Sequence, residues 1–110
     1  MTVIEELVLR HLRDWASARS LAQKRPSIAR QLSLTTREVE MAIQALRVAG
    51  EPICSSSDGY WISDDPAEVE AMVERLRHRV QTQCVTLSGL MHAAKRMRHP
   101  VEASGQVRMF

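Results

Sequence analysis

The sequence predicts a mainly α-helical fold that carries one small β-hairpin and ends in a long helix. Three observations predict it. Before residue 50, apolar residues recur at helical spacing in short segments separated by polar turns. The period then changes in "PICSSSDGYWI", where two short strand-like runs flank a polar tip. From Val69 to Ala94 a heptad seam takes over.

The first helix begins at Thr2, which stands three residues before Glu5. In that spacing each side chain satisfies the other's free backbone N–H. Ile4, Val8 (or Leu7), Leu12 and Trp15 are its expected inward positions, and it ends near Ala16 to Ala18. Residues 19–26 form a basic connector with a short helical or extended piece near Leu21. Pro26 disfavours helix at Arg25 and suits the first turn of a second helix. That helix, Ser27 to Leu32, buries Ile28 and Leu32, and Ala29 permits close approach. In "SLTT" Leu34 points inward and Thr35 is an N-cap with Glu38 three places on.

The third helix runs from Thr36 to about Ala49. Val39, Ala42, Ile43 and Leu46 share one face; Thr36, Arg37, Glu40, Gln44 and Arg47 share the other, with Met41 at the border. Gly50 is placed for a left-handed helix end. Strand-like runs Pro52–Ser55 and Tyr60–Ile62 surround a Ser-rich tip in which Gly59 supplies a positive φ.

Asp65 as N-cap, Pro66 at the first helical position and Glu68 three beyond the cap open the fourth helix, which continues to about Met97. Val69, Leu76, Gln83 and Leu90 are seven apart, as are Val73, Val80, Leu87 and Ala94. Gln83 is the polar defect in this seam and Ser88-Gly89 its weak point. The chain therefore divides into a domain over residues 1–64, a long dimerisation helix over 65–98 and a flexible tail over 99–110, which starts with a helix-stopping Pro100.

With one Phe, one Tyr and two Trp, the core is drawn mostly from Leu, Val, Ile, Ala and Met. Cys54 and Cys84 are too far apart in sequence for a zinc motif or a disulfide scaffold; Cys54 reads as buried filler. His11, His78, His92 and His99 are scattered, without metal-ligand spacing, and no Gly-rich phosphate loop occurs. These points argue against an enzyme, a metal or a cofactor. No apolar run approaches a membrane span, and the N-terminus is charged and periodic rather than a signal peptide. The expected location is the cytoplasm, in association with the nucleoid.

Two short, closely joined helices suit a helix-turn-helix, in which one braces the other, and a hairpin directly after them gives the winged variant. "IARQLSLTTREVEMAIQALRVAGEPI" and then "GYWI" resemble the winged helix-turn-helix domains of bacterial regulators, the N-terminal domain of the biotin repressor class above all. The likeness rests on the Ile28-Ala29 pair, a Thr-initiated third helix, Leu46-Arg47-Val48-Ala49-Gly50-Glu51-Pro52-Ile53 and Gly59-Tyr60. It covers about Thr2 to Ile62, and the ligase portion of that class is absent.

The resemblance implies that the third helix enters the major groove of double-stranded DNA. The residue types agree. Thr35 and Thr36 can bond phosphate or a base, and Arg37 can grip guanine. Gln44 can pair with adenine, and Glu40 can accept from cytosine or orient Arg37 or Arg47. Arg47 completes that face. Ser55, Ser56 and Ser57 would meet the sugar-phosphate chain, while Lys24, Arg25 and Arg30 anchor the flank. Positive charge is concentrated there, although the whole chain carries only +2. Val73, Leu76, Val80, Gln83, Leu87 and Leu90 would form a coiled-coil homodimer, parallel or antiparallel, that matches a palindromic site. The expected role is sequence-specific transcription regulation, or an accessory role in bacterial or phage replication or recombination. A winged-helix adaptor that binds protein and a non-specific architectural DNA binder are the alternatives.

Overall fold

The computed structural model describes residues 1–98; the expected tail and His99 lie outside the described residues. Its element order is α1 (Val3–Trp15), a single 3-10 turn (Arg19–Leu21), α2 (Arg25–Leu32), α3 (Thr36–Val48), β1 (Ile53–Ser56), β2 (Gly59–Ile62) and α4 (Pro66–Arg98). The fold is mainly α-helical, with one antiparallel two-stranded hairpin and a long C-terminal helix. It falls into two compact units, Met1–Val73 and the chain from Glu74 onward, so the division lies inside α4.

Local chemistry sets the helix ends. Thr2 accepts a hydrogen bond from the Glu5 N–H at 3.1 Å, and the Thr2 N–H donates to Glu5 Oε1. Thr35 and Glu38 repeat that reciprocal pair at the start of α3, at 3.1 and 2.9 Å. Each cap stabilises its helix by about 1 kcal/mol. α2 starts at Arg25, two residues before the expected Ser27. Pro26 sits in the first turn, where its missing N–H has no partner to lose, and the residue before it tolerates the helix start.

α2 and α3 end alike. The Ser33 N–H donates to the Arg30 carbonyl and the Leu34 N–H to that of Ala29; the Gly50 N–H donates to Arg47 and the Glu51 N–H to Leu46. In this double closure the residue that ends the helical run takes a positive φ, 57° at Ser33 and 95° at Gly50. A serine holds the left-handed position in the first case, which keeps the turn between α2 and α3 very short.

The core of the first unit is built on Val8, Leu12, Ile28, Val39 and Leu46, all fully buried, with Cys54 and Trp61 beneath the hairpin. α1 packs on α3 and α2 on α3. Ala29 and Ala42 are buried too, so small side chains line that approach. Leu32 and Leu34, expected inside, are half-buried. Trp15 corrects the expected inward stripe of α1: it is 64% exposed, and Ala16 is buried in its place. The helix ends at Trp15, and the chain turns at Ala16 with φ −141°, so the helical period no longer decides what points inward.

The hairpin register pairs Ile53 with Ile62 and Ser56 with Gly59, around a tip of Ser57 and Asp58. β1 lies one residue further along than the expected run and β2 begins one residue earlier than expected, although the Pro52 carbonyl still accepts from the Ser63 N–H at 2.9 Å. A contact without any signature in the sequence holds the hairpin in place. Gln23 and Tyr60 exchange both backbone hydrogen bonds, at 2.9 and 2.8 Å, and the Ile62 N–H donates to the Ala16 carbonyl at 2.8 Å. The connector between α1 and α2 thus pairs with β2 through one isolated bridge, on the edge that β1 leaves open.

The first turn of α4 is tied to the same unit. The Asp65 carboxylate accepts from the Ala67 N–H at 3.0 Å, as an N-cap should. Glu68 Oε1 accepts from Trp61 Nε1 at 3.1 Å and from the Ser63 hydroxyl at 2.6 Å, and Met72 is buried. From Glu74 to Arg98, the described part of the second unit is one uninterrupted helix that passes through Ser88-Gly89 without a break. No helix among the described residues is long and apolar enough to cross a membrane.

Candidate functional site

Apart from those on α4, the residues singled out from sequence fall on three neighbouring pieces of the first unit: α2 with its N-cap Lys24, the outer face of α3, and the hairpin. α3 presents its outer face because its inner one is consumed by the core. Val39, Ala42, Ile43 and Leu46 are buried, whereas Thr36, Arg37 and Gln44 are exposed, Arg37 with 78% of its side chain free. Thr35, also exposed, spends its hydroxyl on the Glu38 N–H and so acts first as the cap.

Glu40 is half-buried and pairs with Arg25 across the α2–α3 joint. Arg37 stands 4.0 Å away on the same helix. Of the expected roles for this carboxylate, orienting Arg37 fits the geometry. The Arg25 pair also answers an electrostatic problem, since an unpaired carboxylate at the centre of this face would repel an anionic ligand.

Arg47 departs from the expected exposed position. Its Nε donates to the Ile53 carbonyl at 2.9 Å, its Nη2 donates to Ser55 Oγ at 3.2 Å, and the guanidinium lies 5.7 Å from the centre of the Tyr60 ring. Near the end of α3, the Arg47 side chain reaches the hairpin instead of standing beside Gln44. Ser55 is likewise turned inward, with its hydroxyl 3.8 Å from Met72 Sδ. Ser56 accepts from the Asp58 N–H at 3.1 Å and shapes the tip. Ser57 is exposed.

Lys24, Arg25 and Arg30 are all exposed on the α2 side. Lys24 lies against the hairpin: a β-carbon on Gly59 would come within 2.7 Å of the Lys24 nitrogen. The Arg25–Glu40 pair joins α2 to α3, the Arg47–Ser55 bond joins α3 to β1, and the Gln23–Tyr60 bridge joins the hairpin back to the connector. These links place Lys24, Arg25, Arg37 and the hairpin on one continuous support.

Two supporting groups were not singled out from sequence. His11 is buried, and its Nε2 lies 2.8 Å from Gln23 Oε1, which steadies the residue that bridges to Tyr60. Its position one turn before Trp15 was the only available signal. Glu68 was read as a helix-start residue, yet its carboxylate serves the hairpin. The Ser63 hydroxyl, the Trp61 N–H and the nearby Arg19 charge hold that carboxyl below the ordinary glutamate value, against the opposing effect of burial. Arg19 also covers the Trp61 ring at 5.7 Å.

On the second unit, Val80, Leu87 and Leu90 are exposed by 58, 58 and 65%. Gln83 is exposed as well and Leu76 is half-buried; Val73, the last residue of the first unit, is also exposed. Among the described residues no group of His, Cys, Asp and Glu is gathered that could hold a metal ion. Comparison with protein-family models, with curated proteins and with solved structures finds no match for this chain.

Proposed function

We propose that this chain is a winged helix-turn-helix protein that binds double-stranded DNA. In this reading α3 enters the major groove, and the role is sequence-specific transcription regulation or an accessory part in replication or recombination. The observation that carries it is the exposed outer face of α3. Thr36, Arg37 and Gln44 stand clear of the core there, next to a helix N-terminus, with Lys24 and Arg25 beside them. Helix N-termini attract phosphate, and Arg and Gln side chains match the paired groups on guanine and adenine edges, each good pair giving about 1–3 kcal/mol of discrimination. Arg25 compensates Glu40, so the acidic residue need not repel the backbone. The order of elements, with a hairpin bonded to the segment ahead of α2, supports the winged fold.

The exposed apolar residues of α4 support a homodimer, which would double the DNA contact and match a two-fold site. Exposed Met41 and Val48 on α3 favour a second reading, an adaptor that docks a protein on this surface.

Titration against selected and random duplexes at several salt concentrations separates the readings. A specific reader shows a large ratio between the two and a steep fall with salt, as counterions are released. A ratio near one leaves an architectural binder. No binding to any duplex at low salt removes DNA and favours the adaptor. Arg37→Ala should lose preference at one base position, and Lys24→Ala should weaken all duplexes alike.

A further inference from the structure

We infer that two copies of this chain pair through α4 in antiparallel orientation, with Cys84 of each copy beside the two-fold axis. The inference rests on the dimer reading above and is independent of what α3 binds. From Val80 to Ala94 the helix carries no Asp, Glu, Lys or Arg, yet its residues are exposed save for the half-buried Ala93. An exposed helical stretch without charges, carrying a heptad seam, fits burial against another helix.

The distribution of charge around that stretch selects the direction. Within α4, Glu68, Glu70 and Glu74 lie before it, followed by Arg75, Arg77 and Arg79; only cations, Lys95, Arg96 and Arg98, lie after it before the helix ends. Parallel pairing would bring both cationic ends together. Antiparallel pairing sets each cationic end beside the glutamates of the other copy.

The seam permits antiparallel registers seven residues apart, and the charges select one of them. Val80 faces Leu90 of the second copy, and Leu87 faces Gln83 of the second copy. One residue beyond each seam position, Glu70 meets Arg98 of the second copy, and the two Cys84 side chains meet each other. No like charges are opposed along that flank. The two Gln83 side chains lie one turn, about 6 Å, apart along the axis on either side of the centre, within mutual reach. Ser88 and Gly89 fall outside the seam, so they do not weaken it. Cys84 is an exposed free thiol, whereas Cys54 is buried.

The test uses full-length chains that carry Cys84→Ser with either Val80→Cys or Leu90→Cys, positions already exposed in the single chain. Sedimentation of the unmodified protein comes first; a dimer is expected. The two variants, carrying tags of different size, are then mixed and oxidised. The mixed disulfide should exceed each same-variant disulfide by about tenfold, because a disulfide needs α-carbons within about 7 Å, and two copies of residue 80 lie about 15 Å apart along an antiparallel pair. The unmodified protein should also be joined through Cys84 by a short bis-maleimide. Same-variant disulfides in a sedimenting dimer would overturn the orientation and leave the dimer standing. A monomer at every concentration would overturn both.

Discussion

Replacing Gly59 by Ala tests how the hairpin is held. A β-carbon there would come within 2.3 Å of the Gln23 carbonyl carbon and oxygen and 2.7 Å of the Lys24 nitrogen, all of them backbone atoms that cannot rotate away. The φ of +123° adds strain of its own. A disfavoured positive φ costs about 1–3 kcal/mol for a residue with a side chain. Forcing packed backbone apart adds about 1–3 kcal/mol. Gly50→Ala is the internal control, because φ is also positive, at +95°, but nothing lies within 4 Å of the added carbon. It should suffer the first cost alone. Urea denaturation of both variants and the parent, at one protein concentration because a dimer's stability depends on it, should place Gly59→Ala about 2 kcal/mol below Gly50→Ala. In a thermal melt that difference is about 8–16 °C for a unit of this size. Equal losses at the two sites would refute the close approach of hairpin and connector as the source of the cost. A gap much larger than the sum would show that the hairpin no longer docks at all.

The same geometry sets further outcomes. Glu68 titrates below its ordinary value in the folded chain, so its contribution to stability is present above the ordinary glutamate range and is lost as pH falls through the lowered value. Glu68→Gln should therefore flatten the acid side of a plot of unfolding free energy against pH; parallel curves for variant and parent would contradict the Ser63 and Trp61 bonds as the cause. Thr35→Ala should cost about 1 kcal/mol in a denaturant melt by removing the α3 cap. Thr36→Ala should leave that melt unchanged and act, if the DNA reading holds, on binding alone. Arg47→Ala should cost about 1–3 kcal/mol of stability, because it removes charged hydrogen bonds to Ile53 and Ser55, and should leave sequence preference intact. Arg37→Ala should do the reverse.

What could be read from the sequence was mostly local. The two capping boxes depend on residues three apart, and they appear at Thr2 and Thr35 with both bonds made. The inner face of α3 came from its period, because Val39, Ala42, Ile43 and Leu46 all lie mid-helix, where the period governs direction. At helix ends the same rule lost its force: Trp15 turned outward, and Arg47 reached across to the hairpin. Gln23 gave no signal because its partner, Tyr60, is distant in sequence and the bond is made by backbone. Glu68 was placed at the right helix start, but its acceptor role was set by Trp61 and Ser63, whose positions depend on the whole hairpin.

The bridge from Gln23 to Tyr60 also ties the hairpin to a contact that is distant in sequence. A two-stranded hairpin alone is marginal in water. Here its outer edge bonds to residues that precede both α2 and α3, so it is secured only when a long loop containing those helices has closed. Docking of the hairpin is thus coupled to closure of the loop that holds the helical core. Amide protons of Gln23, Tyr60 and Ile62 should accordingly exchange with the slow protons of α3, in the same cooperative opening, while those of the Ser57 tip exchange freely.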